Sequence, residues 1–126
     1  MKITLPIYYD IVYKTKKNKT ILMSLNWFRN AHYFEINKIK HFYHQLTKEQ
    51  VGDKKFNKIK LSYKVFIKRK NTDYMNIRSI IEKFFLDGLV ENWNLLDDKF
   101  EFVKGDSCEV FIDKDNPRME IIISNF

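Results

Sequence analysis

The sequence FNKIKLSYKVFIK at residues 56–68, followed by NIRSIIEKFFLDGLV at residues 76–90, decides the fold. The first stretch alternates apolar and polar residues with a period of two, which places the apolar side chains on one face of a β-strand and the lysines on the other. The second stretch repeats its apolar residues at the spacing of a helix with one buried face. A strand followed closely by such a helix predicts a helix that packs against a sheet.

Further elements are predicted on both sides of this pair. Residues 2–13 are rich in β-branched and aromatic residues and are predicted to form a strand, in which Pro6 marks an edge or a bulge. The other predicted elements are a basic turn at 14–20, a short strand at 21–23, a helix at 31–49 and late strands at 99–103, 109–112 and 119–124. We therefore expect a single α+β domain over residues 1–126, with two main helices on a mixed or antiparallel sheet.

Apolar runs in this chain are short. None approaches the roughly 20 residues that a membrane-spanning helix requires, and the first residues lack the apolar core of a signal peptide. We therefore expect a cytoplasmic protein without a membrane partner.

Basic and acidic residues are unevenly distributed. The chain carries a formal net charge of +7, but residues 1–70 contain 17 basic and 4 acidic residues, whereas residues 71–126 contain 6 basic and 12 acidic. Lysine and arginine side chains that neutralise phosphates release counterions and gain affinity from that release, so the basic half favours a nucleic acid as partner. A solvated, lysine-rich surface is the alternative that charge alone leaves open.

Three aspartates flank the second main helix. Asp73 precedes it, and Asp97 and Asp98 follow it. If the flanking loops turn inward and bring these carboxylates together, a cation must relieve their repulsion, and hard oxygen ligands suit Mg²⁺ or Mn²⁺. The alternative is that Asp73 caps the helix and that Asp97 and Asp98 form a solvated turn.

At these residues the sequence resembles the RusA family of phage and prophage Holliday junction resolvases. Members of that family carry Asp-x-Asp-Asn at the start of a helix and an Asp-Asp pair shortly after an apolar helix. DYMN at 73–76, KFFLDGLVE at 83–91 and LLDD at 95–98 follow this plan. DKDNPRMEIII at 113–123 is similar to the final strand of phage members, and with ITLP at 3–6 the resemblance covers nearly the whole chain.

The resemblance implies a homodimeric endonuclease that binds four-way or branched DNA in the bacterial host cell and cuts it with Mg²⁺ (or Mn²⁺). By position, Asp73 and Asp98 match the metal-binding aspartates of the family, with Asp97 beside them. Metal ions held there would generate a hydroxide and stabilise the charge that develops on the scissile phosphate. Candidate contacts with the DNA backbone are Lys14, Lys16, Lys17, Lys19, Arg29, Lys68, Arg69 and Lys70.

Two positions depart from the family pattern, and at one of them Ser79 stands where the family carries a lysine. Met75 stands where the second aspartate belongs, and a thioether cannot ligate a hard cation. Glu82 and Lys83, about one turn further along the helix, are the candidates to replace the lost catalytic charges. The alternative function is that of a catalytically inactive RusA-like protein, which acts as a DNA-binding or protein-inhibiting module.

Two histidines share a face of the first predicted helix. His41 and His44 stand at i, i+3 spacing, but the sequence shows no third ligand near them. A surface or interface role is therefore favoured over a zinc site.

Overall fold

The computed structural model describes residues 1–99 and 101–125, apart from the side chain of residue 106. The elements within this range are β1 (Lys2–Pro6), β2 (Tyr8–Ile11), β3 (Lys19–Leu22), α1 (Leu25–Asn30), α2 (Tyr33–Val51), β4 (Ile59–Ile67), α3 (Tyr74–Glu91), β5 (Val103–Ile112) and β6 (Arg118–Asn125). The predicted α+β class, with two main helices and a mixed sheet, is confirmed. None of the helices in the described range has the length and apolar character required to cross a membrane.

Four strands form the main sheet in the order β1-β6-β4-β5. β6 runs antiparallel to both β1 and β4, whereas β4 and β5 are parallel neighbours. Parallel neighbours require a crossover connection, and α3 supplies it by running back along the sheet from the end of β4 to the level at which β5 begins. β2 and β3 form a separate antiparallel hairpin.

The predicted faces of β4 and α3 meet in one core. Burial alternates strictly along β4, as its period-two pattern predicts. The buried residues of α3 are Ile77, Ile80, Ile81, Phe84, Phe85, Gly88 and Leu89, which include all the apolar residues of the predicted stripe. Both sets belong to a single buried cluster, so hydrophobic burial along α3 holds the helix layer on the sheet.

Two predicted strand boundaries are wrong. The strand predicted at 2–13 is divided into β1 and β2, because the chain leaves the sheet after Pro6 and the Ile7 carbonyl accepts a hydrogen bond from Met23 N at 2.9 Å. In place of the two strands predicted at 99–103 and 109–112, one strand, β5, runs from Val103 to Ile112. Residue 100 of the first predicted strand lies outside the described residues. β5 carries one extra residue opposite β4, since Leu61 pairs with Gly105 and Tyr63 with Cys108, and this bulge keeps the strand continuous.

Helix α1 was not predicted, because six residues are too few for a helical period to be recognised. Ser24 caps it, with its hydroxyl accepting a hydrogen bond from Trp27 N at 3.2 Å. The rings of Trp27 and Phe28 then pack against Phe84 of α3, with centroid separations of 6.5 and 6.2 Å. Tertiary packing thus stabilises a helix that is too short to persist alone.

Asn94 links the loops that follow the two long helices. Its side chain is 1% exposed, and its Nδ2 donates to the carbonyls of Gly52 at 2.9 Å and Lys54 at 2.6 Å. Its Oδ1 accepts a hydrogen bond from Asn92 Nδ2 at 2.8 Å. The amide therefore donates to two part-buried carbonyls, and the Gly52 carbonyl also accepts a hydrogen bond from Asn92 Nδ2 at 3.2 Å.

We predict that Asn94→Ala lowers the free energy of unfolding by about 1–3 kcal/mol, because the Lys54 carbonyl loses its side-chain donor and the Gly52 carbonyl keeps only that of Asn92. Urea denaturation followed by tryptophan fluorescence measures the change. Asn57→Ala is the matched control, since Asn57 is exposed and its loss should change stability by no more than about 0.5 kcal/mol. Equal losses in the two variants would contradict the linking role of Asn94.

Candidate functional site

Asp73 occupies the N-cap position of α3. Its carboxylate accepts hydrogen bonds from Asn76 N at 3.4 Å and from Asn76 Nδ2 at 2.7 Å. Both carboxylate oxygens are therefore engaged by the first turn of the helix. This is the capping arrangement that was the alternative to a metal ligand.

Asp97 and Asp98 lie beyond the other end of α3. Asp97 accepts a hydrogen bond from the backbone N–H of Asp98 at 2.7 Å, and its second oxygen lies 3.6 Å from Lys99 Nζ. Desolvation acts to raise the pKa of Asp97, but the hydrogen bonds from Asp98 and the charge of Lys99 outweigh it and hold the pKa below its usual range. Asp98 lines a shallow cavity of about 280 Å³ with Asp87, Val90 and Glu91 of α3 and with Lys40 and His44 of α2.

The length of α3 separates Asp73 from Asp98. Eighteen helical residues at 1.5 Å each span about 27 Å, whereas ligands of one Mg²⁺ ion lie about 2 Å from it. The structure therefore does not bring Asp73 and Asp98 of one chain together: Asp73 caps the start of α3, and Asp98 lies beside residues of its last turn. The flanking loops do not turn inward, because the crossover between β4 and β5 places them at opposite ends of the sheet.

Glu82 and Lys83 do not complete a site with these aspartates. Glu82 lies 3.2 Å from Arg78 Nη2, and the Arg78 guanidinium stacks over the Tyr63 ring at 4.5 Å. Burial, followed by the nearby Glu82 carboxylate, raises the pKa of Tyr63 above its usual range. Lys83 Nζ lies 3.7 Å from Asp87. Glu82 thus pairs with Arg78 and Lys83 with Asp87, both within the middle of α3. The residues of the expected catalytic set are therefore spread over the whole helix.

The expected DNA contacts are more closely grouped. Lys14, Lys16 and Lys17 are exposed in the loop that joins β2 to β3, and Lys68, Arg69 and Lys70 are exposed at the end of β4. A cation–π contact of 4.7 Å from Lys68 Nζ to the Tyr8 ring joins the base of the hairpin to the end of β4. We call these six residues the basic end. Lys19 lies 4.0 Å from Glu35, and Arg29 is exposed in the last turn of α1.

Two acidic groups near the basic end are paired internally. Asp113, which follows β5, lies 3.0 Å from Arg118 Nη1. Asp10 of β2 accepts a hydrogen bond from the Thr20 hydroxyl at 2.7 Å. The hydrogen bond from Arg118, together with those from the following backbone, holds the pKa of Asp113 below its usual range. The ion pair with Arg118 weakens the competition of Asp113 with an anionic ligand for the lysines.

A His-His-Glu cluster is the feature that sequence reasoning missed. His41 and His44 of α2 and Glu91, the last residue of α3, each offer a ligand atom, and these atoms all lie within 4.8 Å of one another. The third ligand comes from a different helix, so no sequence spacing could have indicated it. The one available signal was Gly88, since a glycine inside a helix often marks a close approach of another element.

Comparison with known proteins adds no family assignment. No protein-family model and no curated protein matches this sequence. The functional argument therefore rests on the residues themselves and on the geometry described above.

We predict that Asp73→Ala destabilises the protein by about 1 kcal/mol, whereas Asp73→Asn changes stability by only a few tenths, because asparagine is an equally good N-cap. Thermal or urea unfolding measures both variants. Adding Mg²⁺ should leave the unfolding midpoints of wild type and of both variants unchanged. Equal destabilisation by Ala and Asn, or a Mg²⁺ shift that Asn abolishes, would contradict a capping role.

Proposed function

We propose that this protein is a RusA-like DNA-binding protein without the single-chain aspartate metal centre, and that its basic end binds the sugar-phosphate backbone of branched DNA. The proposal rests on six exposed cations in two segments, which the contact between Lys68 and Tyr8 links through the β2–β3 hairpin. Each of them can reach a phosphate without first breaking a buried ion pair, and lysine binds phosphate as a compact point charge.

Two separate segments build the basic end, which favours an extended polyanion over a small anion. The hairpin loop supplies three lysines, and the end of β4 supplies Lys68, Arg69 and Lys70. The four residues of β2 rise about 3.3 Å each, so the hairpin loop lies roughly 10 Å along the hairpin from Tyr8, which contacts Lys68. The two groups of cations can therefore contact several successive phosphates. The exposed side chain of Arg29 is a further candidate contact.

Cleavage is the second candidate function, and one observation favours it. Asp73 is exposed and lies three residues after Lys70, the last of the three cations that follow β4, so it stands where a phosphate would approach. Because Asp98 of the same chain is about a helix length away, a metal centre there would need carboxylates from a second copy in the homodimer that the resemblance implies.

We predict that the triple variant Lys14→Ala, Lys16→Ala, Lys17→Ala weakens binding to a synthetic four-way junction by roughly 10- to 100-fold at physiological salt. The slope of log K against log salt should fall by about 3, since each lost phosphate contact removes about one counterion. Fluorescence anisotropy at salt concentrations from about 50 to 200 mM measures both the affinity and the salt slope.

Lys54→Ala, Lys58→Ala, Lys104→Ala is the matched control. It removes the same charge from exposed positions at the opposite end of the sheet, beside the starts of β4 and β5. We expect it to retain most of the affinity and most of the salt slope. Equal losses in the two triple variants, or an affinity of wild type that does not respond to salt, would contradict a localised phosphate-binding surface.

We also predict that the wild-type protein leaves a four-way junction intact in the presence of Mg²⁺ or Mn²⁺, because the carboxylates of one chain do not converge. Denaturing gel electrophoresis of end-labelled strands detects any cutting. Symmetric cleavage by wild type that is lost in both Asp73→Asn and Asp98→Asn would replace the binding-only function with the dimeric nuclease.

A further inference from the structure

The His-His-Glu cluster lies between the two long helices, near the opposite end of α3 from the basic end. His41 and His44 are one turn apart on α2, and His44 Nδ1 lies 2.6 Å from a Glu91 carboxylate oxygen. His41, His44 and Glu91 all line one cavity of about 290 Å³, which leaves room for further ligands such as water.

His44 is placed at this site by close helix packing. Its side chain is only 9% exposed, and it lies against Gly88 of α3. A Cβ atom at Gly88 would stand 3.3 Å from His44 Cδ2 and 3.4 Å from His44 Cα, so the absence of a side chain there allows this approach. The imidazole is consequently fixed by the packing, as a preorganised ligand must be.

The nitrogens of His44 are poorly satisfied for a buried side chain. Nε2 has no hydrogen-bond partner among the described residues, and the close Nδ1 contact with Glu91 is not aligned as a hydrogen bond. Leaving a buried polar group without a partner is costly, and native proteins rarely retain one without a reason. A ligand that accepts the lone pair of the imidazole would remove this cost.

The electrostatic surroundings favour the ligating form of His44. Burial lowers its pKa, aided by Lys40 of its own helix and opposed by Glu91 and Asp87 of α3. Metal ligation uses the neutral imidazole, which has a lone pair to donate. Glu91 supplies a negative charge, and the carboxylates of Asp87 and Asp98 line the adjoining cavity.

These residues form the donor set of a transition-metal site. Two imidazoles and one carboxylate suit Zn²⁺, whereas Mg²⁺ and Ca²⁺ favour sites built of oxygens. Tetrahedral ligands at about 2.0–2.1 Å from Zn²⁺ lie about 3.4 Å from one another. The ligand atoms of the cluster lie within 4.8 Å of one another, and His44 Nδ1 lies 2.6 Å from Glu91, so the separations between ligand atoms must change by only about 1 Å in either direction. His41 and Glu91 are exposed and can rotate by this amount around the fixed His44.

We propose that His41, His44 and Glu91 bind one Zn²⁺ ion, or a similar divalent transition-metal ion, that cross-links the middle of α2 to the end of α3, with water or Asp98 as the fourth ligand. This site is separate from the basic end, so the proposal does not depend on DNA binding. Sequence analysis favoured a surface role for these histidines because Glu91 becomes their neighbour only in the folded chain.

The test is titration of the EDTA-treated, dialysed protein with Zn²⁺ by isothermal calorimetry, with Co²⁺ as a spectroscopic probe of tetrahedral coordination. We expect one ion per chain at micromolar affinity or better, a higher melting temperature with Zn²⁺, and no comparable effect of Mg²⁺. His41→Ala and Glu91→Gln should each weaken Zn²⁺ binding at least tenfold. Both residues are exposed, so these variants should fold even if His44→Ala does not.

Glu101→Gln is the control, since it removes an equivalent exposed carboxylate outside the cluster. Its Zn²⁺ affinity should equal that of wild type. Absence of Zn²⁺ binding by the folded wild type would overturn the proposal. Retention of full affinity in both His41→Ala and Glu91→Gln would also overturn it, because the ion would then be bound elsewhere.

Discussion

The packing of α3 along the sheet is the constraint on which the rest of the structure depends. β4 and β5 are parallel neighbours, so the chain must return over the length of the sheet between them, and α3 is that return. Its buried stripe shares one core with the alternating buried residues of β4. The segment immediately before α3 therefore lies at one end of the sheet, and the segment immediately after it lies at the other.

This separation gives the two ends of the molecule different chemistry. The end before α3 carries exposed cations from the hairpin loop and from the end of β4, which suit a polyanion. The end after α3 brings together imidazoles and carboxylates from two helices, which suit a metal ion. One chain thus offers two candidate sites that are about a helix length apart and can act independently.

Interactions between residues close in sequence could be predicted, whereas those between distant residues could not. Asp73 was correctly predicted as a possible cap, because capping involves only the residues that follow it in the chain. The sequence could not show that Asp73 and Asp98 lie at opposite ends of α3, because their separation depends on how the connection between two strands crosses the sheet. α1 escaped prediction for a related reason, since its stability comes from the contacts of Trp27 and Phe28 with Phe84.

The amino-acid sequence by itself determined the fold class, the buried faces of β4 and α3, and the concentration of basic residues in the first 70 positions. These properties follow from local backbone periodicity and from composition, which can be read along the chain. Only the tertiary structure decided which side chains became neighbours: Glu91 beside His44, and Asp98 far from Asp73. Such neighbours depend on how the elements pack, and apolar periodicity specifies the buried face of an element without specifying its partner.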